Sequence, residues 1–386
     1  MKKRRRSRFS LRPLFQVATV FLRAGAAGFG GPQAHIAMLQ KLCVKELEWI
    51  DDEQFNEGLT TCSLLPGPTS TELAIWLGFM RAGFLGGVVG GIAFTLPAFV
   101  MVFALAWLFE RYGHLPTVDR FLSGVQPAVI AVILATCLRL AAPFRRDARS
   151  VCLAAFAIWA TSVSPESVAL VLIASGLLGL LMARPPTGAA AVHVWPVFLY
   201  FLSTGVVVFG GGMVIVPLTQ HDLIERFHWL TADQFVDALG AGLAAPSPLV
   251  MASAFLGYRA AGPAGAFAAA TAIFIPSFVF VLFAVPLVRR ISQSSWWKAF
   301  ATGVAPAVVG TIVASIVPLF HACIGPEPLH LDVVKAGIFL VALVVLIRGR
   351  MNPALVVLAG GIVGLLASVA LDTIPPGRLP PGLHHS

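Results

Sequence analysis

The stretch LLPGPTSTELAIWLGF, residues 64–79, sets two prolines around a glycine, then adds three hydroxyls and a carboxylate. Pro66 and Pro68 remove backbone donors and stop a helix, and Gly67 supplies a turn. The flanking pieces 53–64 and 69–80 read as helix, but each has only about twelve residues. A bilayer core takes about 20 residues to cross. The reading is a broken helix or a re-entrant hairpin with unpaired amides at its tip. Lipid does not tolerate such groups, so the tip belongs inside protein or against a wet cavity.

The surroundings are indeed oily. The chain is 58% hydrophobic and 12% charged, with a mean hydropathy of +0.85, whereas a soluble domain carries about 25% charged residues. Apolar runs recur at 14–22, 83–109, 125–142, 151–163, 168–183, 197–208, 261–288, 299–319, 333–347 and 353–370. No segment between them is long enough to fold as a separate domain. The fold class is therefore all-α, a polytopic helical membrane protein with about 10–11 transmembrane helices, some of them broken or re-entrant.

The net charge is +9, and MKKRRRSRF at 1–9 with Arg12 holds much of it. Such a cluster reads as a topology signal that keeps this end cytoplasmic. No folded basic domain accompanies it, which argues against nucleic acid as a partner. The basic start, the apolar run 14–22 and Ala24-Gly25-Ala26 resemble a signal peptide, but the same segment recurs mid-chain, and a removable leader has no reason to be duplicated. The five cysteines are scattered with no CxxC pair, and read as small apolar fillers. No cofactor or metal is expected.

FLRAGAAGFGG at 21–31 matches FLSTGVVVFGG at 201–211, an offset of 180. At the same offset WIDDEQF (49–55) meets WLTADQF (229–235), and LPGP (65–68) meets APSP (245–248). After one deletion Gly78 meets Gly257, Pro97 meets Pro276, and GVQPAV (124–129) meets GVAPAV (303–308). The protein is a tandem duplication. Its layout is a basic N-terminus (1–13), a first repeat (14–184), a second repeat (195–370) and a C-terminal tail (371–386). In each W-I/L-D/T-x-x-Q-F box, Asp51 or Thr231 is an N-cap, and Gln54 or Gln234 can reach back to complete a capping box. Ile50 with Phe55, and Leu230 with Phe235, have the spacing of a hydrophobic staple. The segments 33–48 and 214–228 read as interfacial.

The break recurs at Pro246-Ser247-Pro248, and paired breaks in two halves point to a transport site. A half-helix N-terminus offers free N–H groups and partial positive charge to an anion, and Thr69, Ser70 and Thr71 add hydroxyls there. The glycine turns at Gly30-Gly31 and Gly210-Gly211-Gly212 let a second backbone come close. Arg23 lies in the first apolar run, where an arginine is costly and functional by default, or else snorkels to the interface. Glu72 reads as a proton carrier, a counter-charge to Arg23, or a polar residue facing water. The substrate-binding set is thus Arg23, Gly30, Gly31, Pro66, Gly67, Pro68, Thr69, Ser70, Thr71, Gly210, Gly211, Gly212, Pro246, Ser247 and Pro248, with Glu72 as the proton-coupling candidate. The pairs Gly86/Gly90 and Gly87/Gly91 read as helix-packing faces. His35 and His221 read as interfacial.

At GFGGP (28–32), at LPGP followed by LAIWLG (73–78), at FGGG (209–212) and in the repeat itself, the chain resembles the chromate ion transporter (CHR) family over residues 15–370. The resemblance implies export of chromate from the cytoplasm driven by the membrane proton gradient, handling of sulfate as a similar tetrahedral dianion, and halves of opposite orientation. Two positions depart from the family's pattern: Ser247 replaces a glycine, and Glu72 stands where an amide is usual. The charge pattern favours inversion independently. With Arg81, the basic residues of 139–149, Arg226, 289–298 and 348–350 all on the cytoplasmic side, Glu327 and Asp332 fall outside. The expected partners are chromate or sulfate as substrate, the lipid bilayer, and a second copy in a homodimer. A membrane-embedded enzyme would need an HExxH, a serine with a base, or an intramembrane aspartate pair. The sequence offers none of these, its aspartates being assigned to loops. A scaffold subunit remains the third reading.

Overall fold

The computed structural model describes residues 11–28, 32–63, 65, 67–113, 115–142, 148–163, 194–208, 212–246, 248–284, 309–320, 333–349 and 351–372. Gly30, Gly31, Pro66, Gly210, Gly211 and Ser247 lie outside the described residues, as do the basic start 1–10 and the segments 289–298 and 327–332. Among the described residues the elements are helical, with no strand.

The apolar run expected at the start forms α1 (Leu11–Ala27). After the glycine turn comes α2 (Pro32–Gln40), which widens into a π-helical turn, Lys41–Glu46. The turn stops on Glu48, a non-glycine residue at φ 49°. The Trp49 amide then reaches back to the Cys43 carbonyl at 2.8 Å, as in a left-handed helix stop. The capping box follows as expected: Gln54 N–H donates to Asp51 Oδ1 at 2.8 Å, and Asp51 N–H to Gln54 Oε1 at 3.3 Å. It opens α3 (Asp52–Ser63), over which Ile50 and Phe55 are both buried.

Beyond the Pro-Gly break lies α4 (Thr69–Tyr112), which is not one rod. Ala82 (φ −138°, ψ 21°) and Gly83 (φ 67°, ψ −158°) interrupt it. The short arm therefore folds back on the long one, until a side chain on Gly78 would collide with the Gly86 carbonyl and one on Gly86 with that of Gly78. Around Gly83 a Cβ meets nothing within 4 Å, so the glycine is there for its φ alone. The expected packing role of Gly86 and Gly87 holds, with Gly87 against Leu282. The first half goes on through α5 (Pro116–Ala141) and α6 (Ala148–Val163).

The second half repeats the plan. It has α7 (Val194–Val207), α8 (Ile215–His221), a π-helical turn Asp222–Arg226 ending on His228 at φ 53°, and α9 (Ala232–Ala244) behind a complete Thr231–Gln234 capping box. A 3₁₀ turn, Leu249–Met251, leads into α10 (Ala252–Val279), which reverses at Ala261 (φ −145°, ψ 31°) and Gly262 (φ 62°, ψ −157°). The reversal is thus duplicated along with the break. Then come α11 (Val309–Phe320), α12 (Val333–Ile347) and α13 (Pro353–Asp372).

The long arms of α4 and α10 cross at the centre and run antiparallel. Phe99 meets Phe267 with ring centroids 4.9 Å apart, and Phe84 meets Phe283, in the π-helical turn Phe280–Ala284 that continues α10, at 5.5 Å, while Phe109 reaches Phe255 on the short arm of α10 at 5.5 Å. The halves are also interleaved. Gly124 of α5 lies against Gly360 and Gly364 of α13, while Gly310 of α11 lies against Ala154 of α6. Apolar side chains such as Leu96, Trp107, Leu340 and Leu366 are exposed, as suits a surface that faces lipid. The stretches Thr69–Tyr112, Pro116–Ala141 and Leu249–Phe283 are long and apolar enough to cross a membrane, and four shorter helices are also apolar. These are candidates by length and composition among the described residues, and the expected apolar run 168–183 lies outside those residues.

Candidate functional site

The first break is a dry, polar knot. Leu65, Gly67 and Pro68 are buried, and Gly67 has φ 148°. Pro68 caps the half-helix by accepting, on its carbonyl, from the amides of Thr71 (2.8 Å) and Glu72 (3.1 Å). Among the described residues no backbone oxygen takes up the Thr69 and Ser70 amides. Ser70, Thr71 and Glu72 are all buried, Glu72 to 0% exposure. The hydroxyl of Thr71 and both carboxyl oxygens of Glu72 have no hydrogen-bond partner. Buried polar groups are nearly always paired, so three unmet oxygens on one helical turn mark a site rather than a core.

The second half completes it. Ser277, just after Pro276 in the long arm of α10, is fully buried and its Oγ is also unpartnered. A side chain on Gly67 would collide with both Ser277 Oγ and Glu72 Oε1, so these oxygens share the space over the glycine. His35 closes the other side. Its Nε2 is hydrogen-bonded with the Gly28 carbonyl, its Nδ1 lies 3.4 Å from Ser70 Oγ, and Phe94 stands edge-on at 5.3 Å. His35 was expected at the interface. It is buried instead, because α2 turns its one inward face onto α4. Its place seven residues after Gly28, on the far side of the glycine turn, was the available signal.

Arg23 is not the counter-charge of Glu72. Its side chain is exposed on α1, while neighbouring Phe21 and Gly25 pack on α4. Gly212 behaves as a close-approach glycine: a Cβ there would stand 3.0 Å from the Val250 amide and 3.1 Å from that of Leu249. At the second break Pro246 and Pro248 are buried, but the next residues are apolar. Leu249, Val250 and Met251 occupy the positions of Ser70, Thr71 and Glu72 and are buried. The breaks are therefore duplicated in backbone but not in chemistry. A groove of about 560 Å³ between the long arms, lined by Phe84, Leu96, Phe274 and Phe283 among others, offers nothing to an anion. One of its few hydroxyls, that of Thr95, already donates to the Gly91 carbonyl.

A second inter-half contact corrects the placing of the aspartates in loops. Asp237 sits on α9, 6% exposed, and accepts from Gln126 Nε2 of α5 at 3.3 Å. Arg259 lies nearby over the Phe109 ring, 5.6 Å from its centroid, with its Nε buried and unpartnered. Removing the amide in Gln126→Ala strands a buried acceptor, and the expected cost is about 1–3 kcal/mol. Thermal unfolding in detergent would show it as a lowered midpoint, and adding Asp237→Ala would return part of the loss.

Matched broken helices, set between two halves of one chain and enclosing unmet polar groups, define a membrane protein of the broken-helix, internally repeated class. The chain belongs to the Chromate transporter family, which it matches over residues 15–180 and 195–365. Among curated relatives it is 31% identical to the chromate transport protein of Cupriavidus metallidurans, covering 92% of this chain and 93% of that one. It is 33% identical to the chromate transport protein of Pseudomonas aeruginosa (91% and 92%). It is 30% identical to the probable chromate transport protein of Synechococcus elongatus (92% and 95%). No solved structure matches the chain.

Proposed function

We propose that the protein is a multi-pass secondary transporter of the cytoplasmic membrane. In this reading it exports chromate, with the proton-motive gradient as its energy source. The observation that carries the site is the group of unpartnered buried oxygens at the first break, Thr71, Glu72 and Ser277, beside open half-helix amides. The names of the relatives supply chromate. A tetrahedral dianion is recognised here by charge and shape, so sulfate is the alternative substrate.

The repeats 14–184 and 195–370 sit in opposite membrane orientations in this reading. Two observations support that. The homologous long arms run antiparallel. Arg81 donates to Gln16 near the start of α1 at 2.8 Å, and Arg139 to the Leu346 carbonyl near the end of α12. Rocking one half against the other then opens the knot to each side in turn. The protein works as a carrier and not as an enzyme.

Everted vesicles from expressing and control cells test this. Chromate uptake specific to the protein, abolished by an uncoupler and competed by sulfate, is the expected result. Absence of uptake with the protein inserted would refute it.

A further inference from the structure

The carboxyl of Glu72 is in the wrong place for a simple anion site. It occupies the first turn of the half-helix, over Gly67 and opposite Ser277. That is also where the open amides would hold a dianion. An ionised carboxylate is an acceptor only. It sets a negative charge of its own at the helix end and repels any second anion brought beside it. A protonated carboxyl reverses both effects, because it adds an O–H donor and removes the charge.

Few other groups can take over that role. From α3 the neighbour is Cys62, whose thiol is buried and lies within electrostatic reach of Glu72. From α2, His35 stops at Ser70 and the Gly28 carbonyl. From α10 the neighbour is the Ser277 hydroxyl. On α1, Arg23 is exposed. On α9, Asp237 is engaged with Gln126. The equivalent of Glu72 in the second half is Met251, so the duplication supplies no second carboxyl.

We propose that Glu72 and Ser277 close one oxyanion site from the two halves, and that a dianion enters it only together with a proton on Glu72. This rests on the anion site proposed above and fixes the sign of its coupling. Proton and anion bind cooperatively rather than in competition, because the same carboxyl must be neutral for the anion to stay. The transferred unit, a dianion with one proton, carries a net charge of −1. An inside-negative membrane potential drives that unit outward.

The test uses full-length protein purified in detergent and sodium sulfate, which stays a dianion from mildly acidic to mildly alkaline pH. In weakly buffered solution at a pH where Glu72 is ionised in the free protein, sulfate binding by the wild type is expected to take up a proton. Its affinity falls about tenfold per pH unit once Glu72 ionises in the free protein. Glu72→Gln flattens that slope and ends the proton uptake. Ser277→Ala weakens binding at every pH and keeps the slope. Sulfate binding whose affinity stays constant into the alkaline range, with no proton uptake there, overturns this inference while leaving the anion site standing, and needs no variant to fold. Failure of the wild type to bind sulfate or chromate at any pH overturns the site and the inference together.

Discussion

Replacing Gly67 with leucine is expected to lower chromate or sulfate flux at least about tenfold while the protein still inserts in the membrane. Two effects act in the same direction. The position has φ 148°, a region closed to side chains at a cost of about 1–3 kcal/mol. The new side chain would also lie on Ser277 Oγ and Glu72 Oε1, filling the space those oxygens share. Gly83→Ala is the internal control. That residue too has a positive φ, 67°, with ψ −158°, but a Cβ there meets nothing within 4 Å, so the cost is about 1–3 kcal/mol of strain with flux retained. Flux in vesicles at matched protein levels separates the two. Unchanged flux in Gly67→Leu would remove the break from the substrate path.

The largest effect on folding is expected at Gly25. A Cβ there collides with the Phe94 carbonyl, its carbon and its Cα, all of them backbone, so no side-chain rotation relieves the clash. Lipid tails give helices no hydrophobic reason to associate, and close backbone approach through small residues does that work instead. Gly25→Val should therefore part α1 from α4, at a cost of at least about 3 kcal/mol. Gly205→Val should do the same to α7 and α10, since Gly205 meets the Ile273 backbone in the matching way. Size-exclusion profiles of detergent extracts would show loss of the monodisperse peak in both. A normal profile for either would mean that the helices repack around the valine.

Much of this was legible because the chain says it twice. The capping boxes, the staples and the paired prolines of the break recur at a fixed offset, and local chemistry decides each of them. Other features were hidden for physical reasons. The reversals at Ala82-Gly83 and Ala261-Gly262 lie among many small residues, where nothing distinguishes a glycine needed for its φ from one needed for packing. Ser277 passed unread because its importance is relational: it matters through Gly67, far off in sequence and contributed by the other half. His35 and Asp237 each sit on a short helix of mixed polar and apolar residues, and only three-dimensional packing says which side of such a helix turns inward. Arg23 failed the other way. An arginine in an apolar run invites a role at depth, but its helix turns Phe21 and Gly25 inward and leaves the cation outside.

The exchange of partners between halves sets a timetable for biogenesis. Gly124 of α5 finds its contact on Gly360 and Gly364 of α13, which are synthesised long after it. At about 5–20 residues per second, α5 waits roughly 10 to 50 seconds in the bilayer before its seam exists. Through that interval the nascent chain holds a helix with an unfilled small-residue stripe, open to quality-control proteases and to rival helices. A truncation after α11 would lock it in that orphan state.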